Sequence, residues 1–273
     1  MHRARRSLGQ NFLTDPNQQK KIVEAIGATA DSDVLEIGPG LGALTDRIAG
    51  TVRRLTAVEL DRDLAAALRT RYHGRDDVRI IEADILDLPI PSITDEPGSL
   101  LVVGNIPYNI TSPILFHLLE RDNRPARIVL MVQREVADRI AAPPGSKAYG
   151  ALSVGVQAVA SIARLFLVGR NAFRPVPGVD SAVIRITPVR PFQLDAREEA
   201  DLRELTRTAF SWRRKQLQRT LRSAPRYALE RDAIHQLEND TAIPLEHRPE
   251  TLAAPDFIRL ARALRTLGRP LDR

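Results

Sequence analysis

The run Val34-Leu35-Glu36-Ile37 passes without a break into Gly38-Pro39-Gly40-Leu41-Gly42, and a helical stretch through Leu44-Thr45-Asp46-Arg47-Ile48 follows. A short apolar strand, a glycine turn and a helix form the first unit of a nucleotide-binding α/β fold, because glycines let a ligand approach the backbone. The spacing is G-x-G-x-G, not the G-x-G-x-x-G of dinucleotide folds. Pro39 also lacks the N–H that a pyrophosphate cradle uses. The turn therefore suits a closely held ligand without a phosphate grip.

The alternation continues down the chain. Leu55–Val58 reads as a second strand ending at Glu59, where an acidic side chain can accept both hydroxyls of a ribose. After a helix over about 62–71, Val78–Ile81 leads to Asp84, a possible acceptor for the amino group of a cofactor adenine. Acidic capping after a strand explains either carboxylate alone; the two together favour a bound nucleoside. The fourth strand, Leu100–Val103, stops in Gly104-Asn105-Ile106-Pro107-Tyr108-Asn109. Asn105 offers a carbonyl acceptor and an amide donor, Pro107 leaves nearby carbonyls open to a ligand, and Tyr108 supplies a flat face. Such a turn suits a nucleobase amine; a rigid turn capped by a partly buried Tyr is the plain alternative.

Further strands are expected at 128–132, 163–168 and 182–186, and helices at 111–119, 135–140 and 152–156. The loop Pro143–Gly150 reads as exposed and substrate-facing. Phe173 opens the proline-stiffened loop 173–181, as a second plate around a base or as a core anchor. Asp15 with Pro16 marks a helix start. The lead-in Gln10-Asn11-Phe12-Leu13 reads as two apolar side chains packing on the core.

These elements define an α/β, doubly wound, mostly parallel sheet, with a catalytic domain over 1–190. From 191 to 273 the pattern is helical throughout. There Arg213, Arg214, Lys215 and Arg219, extended by Arg222 and Arg226, make a candidate RNA-phosphate face or a solvated helix face. Arg3, Arg5 and Arg6 near the start are also suited to phosphate contact.

The chain has no cysteine, which excludes disulfides, thiolate metal sites and a Cys nucleophile. Its five His residues, at 2, 73, 117, 235 and 247, show no metal-ligand spacing, so no metal is expected. Forty Lys and Arg against 34 acidic residues leave +6, which agrees with a polyanionic partner. The basic opening lacks an apolar core after it and no run is long enough to span a bilayer, so a cytoplasmic location and no membrane partner are expected.

Gly38-Pro39-Gly40-Leu41-Gly42, Glu59, Asp84 and Asn105-Ile106-Pro107-Tyr108 together resemble the S-adenosylmethionine-dependent rRNA adenine-N6 dimethyltransferases. Leu8–Leu13, Asn109–Pro113, Gln133–Val136, Ser146–Gly150, the Phe173-x-Pro-x-Pro-x-Val179-Asp180-Ser181 loop and Arg213-Arg214-Lys215 are similar to the small-subunit (16S) branch. The likeness is dense from about 8 to 220. Ile106 departs from the Leu that this branch often has. Large-subunit macrolide-resistance enzymes share the Asn-Ile-Pro-Tyr turn but generally lack the Ser-Lys-Ala-Tyr-Gly loop, and rank second. A non-catalytic RNA-binding assembly factor is the other alternative.

The resemblance implies a seven-stranded Rossmann-like methyltransferase sheet with a small helical C-terminal domain. It implies that Asn11, Leu13, Gly38, Gly40, Glu59, Asp84 and Asn105 line an S-adenosyl-L-methionine site, with Asn105, Pro107, Tyr108 and Phe173 around the target base. The implied substrate is two adjacent adenosines in a hairpin near the 3′ end of 16S rRNA, within a pre-30S particle. Monomer is the default expectation.

Overall fold

A computed structural model describes Arg5, residues 9–190 and residues 193–267. The cations Arg3 and Arg6 and the Leu8 of the opening motif lie outside the described residues. The chain divides into two compact units: residues 1–137 with 161–188, and residues 138–160 with 189–273. The second unit is therefore not the simple C-terminal block 191–273. It also takes in residues 138–160, whose helix and buried Tyr149 share its core.

The first unit opens with the two-residue strand β1 (Phe12–Leu13) and helix α1 (Pro16–Ile26). The Asp15 carboxylate accepts from the N–H groups of Asn17 and Gln18, and Pro16 sits at the first helical position. Then follow β2 (Asp33–Ile37), α2 (Thr45–Ile48), β3 (Arg54–Glu59), α3 (Arg62–Arg71), β4 (Val78–Glu82), β5 (Leu101–Asn105), α4 (Thr111–Leu119) and β6 (Arg127–Gln133). α5 (Arg134–Ile140) and α6 (Ala151–Gln157) lead to β7 (Ala160–Val168), β8 (Phe173–Arg174) and β9 (Ser181–Pro188).

Seven strands make one sheet in the order β4-β3-β2-β5-β6-β9-β7. The pairs among β4, β3, β2, β5 and β6 are parallel, and β9 runs antiparallel to β6. Central strands of this kind are apolar on both faces because each face is covered. Val34, Leu101, Val103, Val129 and Met131 pack with Ile22 and Ile26 of α1 and Leu44 and Ile48 of the next turn and α2. Their alternating neighbours Leu35, Val102, Ile128 and Leu130 are just as fully buried.

β1 and β8 form a separate antiparallel pair, with Phe12 opposite Arg174 and Leu13 opposite Phe173. The lead-in residues are thus a strand as well as a core contact.

The second unit adds α7 (Ala196–Ser211), α8 (Leu217–Ser223), α9 (Arg231–Thr241) and α10 (Ala254–Thr266). α7 starts in a reciprocal cap: Glu198 N donates to Asp195 Oδ1 (2.7 Å) and Asp195 N donates to Glu198 Oε2 (2.8 Å). Its core gathers Tyr149, Leu202, Leu205, Leu217, Tyr227 and Phe257. Tyr149 is fully buried, and its ring lies edge-on to Phe210 at 6.1 Å. The loop 143–150 is therefore exposed only in part: its apolar body is better hidden in the helical core than left facing a substrate. No described helix is long and apolar enough to cross a membrane.

Candidate active site

The parallel strands β2, β3, β4 and β5 all end on one side of the sheet, the side where α/β folds bind ligands. There a cavity of about 220 Å³ opens among Asn11, Leu13, Gly38, Gly40, Glu59, Asp84 and Asn105. All seven residues expected around a cofactor line it.

Gly38 and Gly40 have φ of 67° and 59°, a conformation that a side chain makes costly. A Cβ on Gly40 would also stand 3.1 Å from the Phe12 ring. The turn keeps its shape through Glu59. Glu59 Oε2 accepts from Gly40 N (2.9 Å) and Oε1 from Asp61 N (2.9 Å). Burial raises the pKa of Glu59. On the far side of the turn, the Arg71 guanidinium donates to Leu41 O (3.0 Å) and to the Asp46 carboxylate, which also accepts from the Tyr72 hydroxyl. Asp84 does two jobs: Oδ1 caps the following turn by accepting from Leu86 N (2.9 Å), while the residue also lines the cavity.

Asn105 ends β5. Its amide nitrogen donates to the main-chain carbonyl of Asn11 (2.9 Å). A carbonyl can only accept, so this contact fixes which end of the amide is which. Oδ1 is thereby the end of the Asn105 amide left as an acceptor.

The residues expected around a target base divide. Pro107 lines the cavity, and its carbonyl closes the turn by accepting from Ile110 N (3.3 Å). Tyr108 is half-buried and outside the cavity lining; its hydroxyl is 2.6 Å from Ser181 Oγ at the start of β9. Burial raises the pKa of its phenol. Phe173 is corrected. It is fully buried in the core with Leu13, Met131 and Val183, because pairing with β1 turns its ring inward. In this arrangement it offers no plate to a base.

Sequence reasoning missed Glu36, which lines the same cavity at 1% exposure and accepts from the Thr45 hydroxyl (2.7 Å). A carboxylate inside a buried strand was the available signal, since burial of such a group requires a partner. It also missed Ser181, which anchors the Tyr108 hydroxyl, and Leu60, an exposed apolar side chain at the cavity.

The expected cation face is likewise divided. Arg213 is half-buried and committed: Nε donates to Glu250 Oε2 (2.6 Å) and a terminal nitrogen to Lys147 O (2.9 Å). It braces the 143–150 loop rather than facing solvent freely. Arg214, Lys215, Arg219 and Arg222 are exposed, the first two on the turn between α7 and α8.

A family model described as ribosomal RNA adenine dimethylase matches residues 1–259. The chain is 41% identical over 260 residues to ribosomal RNA small subunit methyltransferase A of Hahella chejuensis, covering 95% of this chain and 92% of that one. It is similar in fold to the crystal structure of a dimethyladenosine transferase from Plasmodium falciparum, at 24% identity and TM-score 0.77, covering 94% of this chain and 98% of that one. The 23S rRNA methyltransferase ErmE superposes with TM-score 0.70 at 26% identity, covering 93% of this chain and all of that one.

Proposed function

Because the chain belongs to the ribosomal RNA adenine dimethylase family, we propose that it transfers methyl groups from S-adenosylmethionine to adenine N6 in small-subunit rRNA. The targets in this reading are two adjacent adenosines in the 3′-terminal hairpin of 16S rRNA, each dimethylated, in a pre-30S particle in the cytoplasm. The chain acts as a monomer. The carrying observation is the Asn105 side-chain carbonyl, held as an acceptor at a cavity lined by acids.

The cavity chemistry suits the cofactor. Glu36, Glu59 and Asp84 line it, and no Lys, Arg or His is among its described lining residues. That set favours a ligand with net positive charge, such as a sulfonium amino acid, and disfavours the pyrophosphate of a dinucleotide. Glu59 would hold the ribose hydroxyls, Asp84 Oδ2 the adenine amine, and Leu60 and Ile85 the flanks of the adenine ring. S-adenosylmethionine supplies a strongly electrophilic methyl group.

The protein's own work is placement and electrostatics. The adenine amine is a poor nucleophile because its lone pair is delocalised into the ring. Asn105 Oδ1 and a main-chain carbonyl beside Pro107 accept its two protons, which frees the lone pair and favours the positive charge growing on nitrogen. Tyr108, oriented by Ser181, stacks on the base, an interaction worth ~1–3 kcal/mol. Fixed in-line geometry contributes up to ~7–11 kcal/mol. The product ammonium is acidic enough to release its proton to water, so no dedicated base is needed.

Glu36 makes cofactor binding pH-dependent. Burial pushes its carboxyl up to about 8, and Glu59 and Asp46 add to the rise against the pull of the Thr45 hydrogen bond. A cation in the cavity favours the charged form, so binding below about pH 8 releases a proton. Affinity for S-adenosylmethionine is expected to rise toward pH 8 by up to about tenfold per pH unit, then level. Without ligand the sign is opposite. The folded chain holds the extra proton, so stability is greatest below the unfolded value near 4.5 and falls as pH rises through about 8. Calorimetric titration in buffers of different protonation enthalpy measures the released proton. Glu36→Gln should reduce the release, and an unchanged release in that variant refutes the assignment.

The function itself is tested with tritiated S-adenosylmethionine and unmethylated 30S particles, 50S particles and naked 16S rRNA. Dimethyladenosine in digested 30S RNA, with little label on 50S, is the expected result. Label confined to 50S moves the chain to the large-subunit activity. Cofactor binding without transfer to any RNA makes it a binding factor.

A further inference from the structure

Among the described residues, the aromatic side chains of the helical unit are buried or, for Phe210, partly buried against its core, and Trp212 is the exposed one. Tyr149, Tyr227 and Phe257 are fully buried, whereas Trp212 is 41% exposed. Trp212 is the one aromatic among the large apolar side chains left exposed in the described residues. It is also the single tryptophan of the sequence. An indole of that size in water forfeits a large burial gain, so its position invites a partner that covers it.

Its surroundings say what kind of partner. Trp212 ends α7, and the turn that follows is closed by Lys215 N donating to Trp212 O (2.8 Å). Arg213 ties this turn to Glu250 and to the Lys147 carbonyl. Just past it, Leu217 N donates to His247 O (2.9 Å) and Gln218 N to Leu245 O (2.7 Å). The turn is thus braced from both sides before any ligand arrives. Arg214 and Lys215, beside the indole in the chain, are exposed, as are Arg219 and Arg222 one helical turn apart on α8. An exposed aromatic side chain on a braced turn, with solvent-facing cations next to it in the chain, matches a nucleobase with its flanking phosphates. Bases within a duplex already have both faces stacked, so the fitting ligand is an unpaired nucleotide of a folded RNA.

We propose that Trp212 is a stacking platform for an unpaired rRNA base, with Arg214 and Lys215 holding the adjoining phosphates. This site rests on the rRNA reading above and adds an anchoring point in the helical unit, separate from the residues that handle the target adenine.

The lone tryptophan makes the site directly observable: biosynthetic replacement of Trp212 by 5-hydroxytryptophan, excited beyond the absorption of ordinary indole, gives a signal from that position alone even beside ribosomal proteins. Emission of the full-length protein is followed during titration with a short unstructured oligoribonucleotide, the corresponding RNA duplex, unmethylated 30S particles and RNA-free ribosomal proteins. Saturable quenching by the single strand and by 30S, weak with duplex and reduced by salt, is expected. Trp212→Ala should raise KM for 30S on the order of tenfold with kcat within about twofold, and Trp212→Phe should restore most of the loss. Exposure of the side chain means that both variants should keep the wild-type circular dichroism and cofactor affinity. Unchanged emission with an active wild-type enzyme, a wild-type KM in Trp212→Ala, or quenching only by RNA-free proteins would each overturn the proposal. Quenching by RNA without any methyl transfer to 30S would instead overturn the dimethyltransferase reading and leave this site standing.

Discussion

Replacing Asn105 by Ala is expected to lower the rate of methyl transfer about 10²–10³-fold, the size of effect seen when one preorganised hydrogen-bonding group is removed from a reacting centre. Cofactor affinity should change much less, because Gly38, Glu59 and Asp84 still line the cavity. Asn105→Asp separates two contributions. It retains an oxygen acceptor but cannot donate to the Asn11 carbonyl that orients the wild-type amide at 2.9 Å. It also adds a negative charge beside a carbonyl oxygen. A loss comparable to that of the alanine variant is therefore expected, showing that orientation matters as well as the acceptor. Single-turnover transfer to 30S particles, with separately measured cofactor binding, tests both. A rate for Asn105→Ala within threefold of wild type, on the order of experimental scatter set against an expected 10²-fold loss, would end the proposed role of this amide.

Gly104→Ala is expected to damage the fold and the site together. A Cβ at Gly104 would stand 2.6 Å from the Ile37 carbonyl oxygen and 3.1 Å from the Ile106 side chain. Ile37 is its partner across the parallel β2–β5 pair, and backbone in the middle of a sheet cannot swing aside. Strands must separate where one leads into Gly38 and the other into Asn105. Overpacking of this kind costs about 1–3 kcal/mol, with a melting temperature lower by roughly 2–4 °C per kcal/mol. Transfer should fall further than the lost stability explains, even well below the new melting temperature. Thermal unfolding with parallel activity assays decides this, and an unaltered melting temperature would show that the strands accommodate the methyl.

What could be read from the residues alone was whatever is written locally. Parallel strands appear as short apolar runs because both faces are covered. Asp15-Pro16 announces α1 because capping uses neighbouring atoms. The glycine turn, Glu59, Asp84 and Asn105 were legible because each ends or follows a strand, and parallel strands deliver their ends to one place. The β1–β8 pair was not legible. Two residues pair with two others about 160 positions away, too short for any periodicity. That pairing decides whether Phe173 faces a ligand or the core. Arg213 looked like its neighbours as a charge in a run. Only folding brings Glu250 and the Lys147 carbonyl to it. Tyr149 sits in a polar, glycine-containing stretch whose composition signals exposure, yet one ring outweighs that signal once an aromatic neighbour is available.

The hydrogen bond between Asn105 and the Asn11 carbonyl spans 94 positions of sequence. The amide belongs to a central strand, while its guide belongs to an edge segment outside the seven-stranded sheet. A molecule whose opening residues have not yet docked would already own its complete sheet, but its reactive side chain would be free to rotate. Competence thus depends on a contact made by the opening segment as well as on the sheet. Extensions fused to the amino terminus should consequently be felt as misaimed chemistry well before they are felt as misfolding.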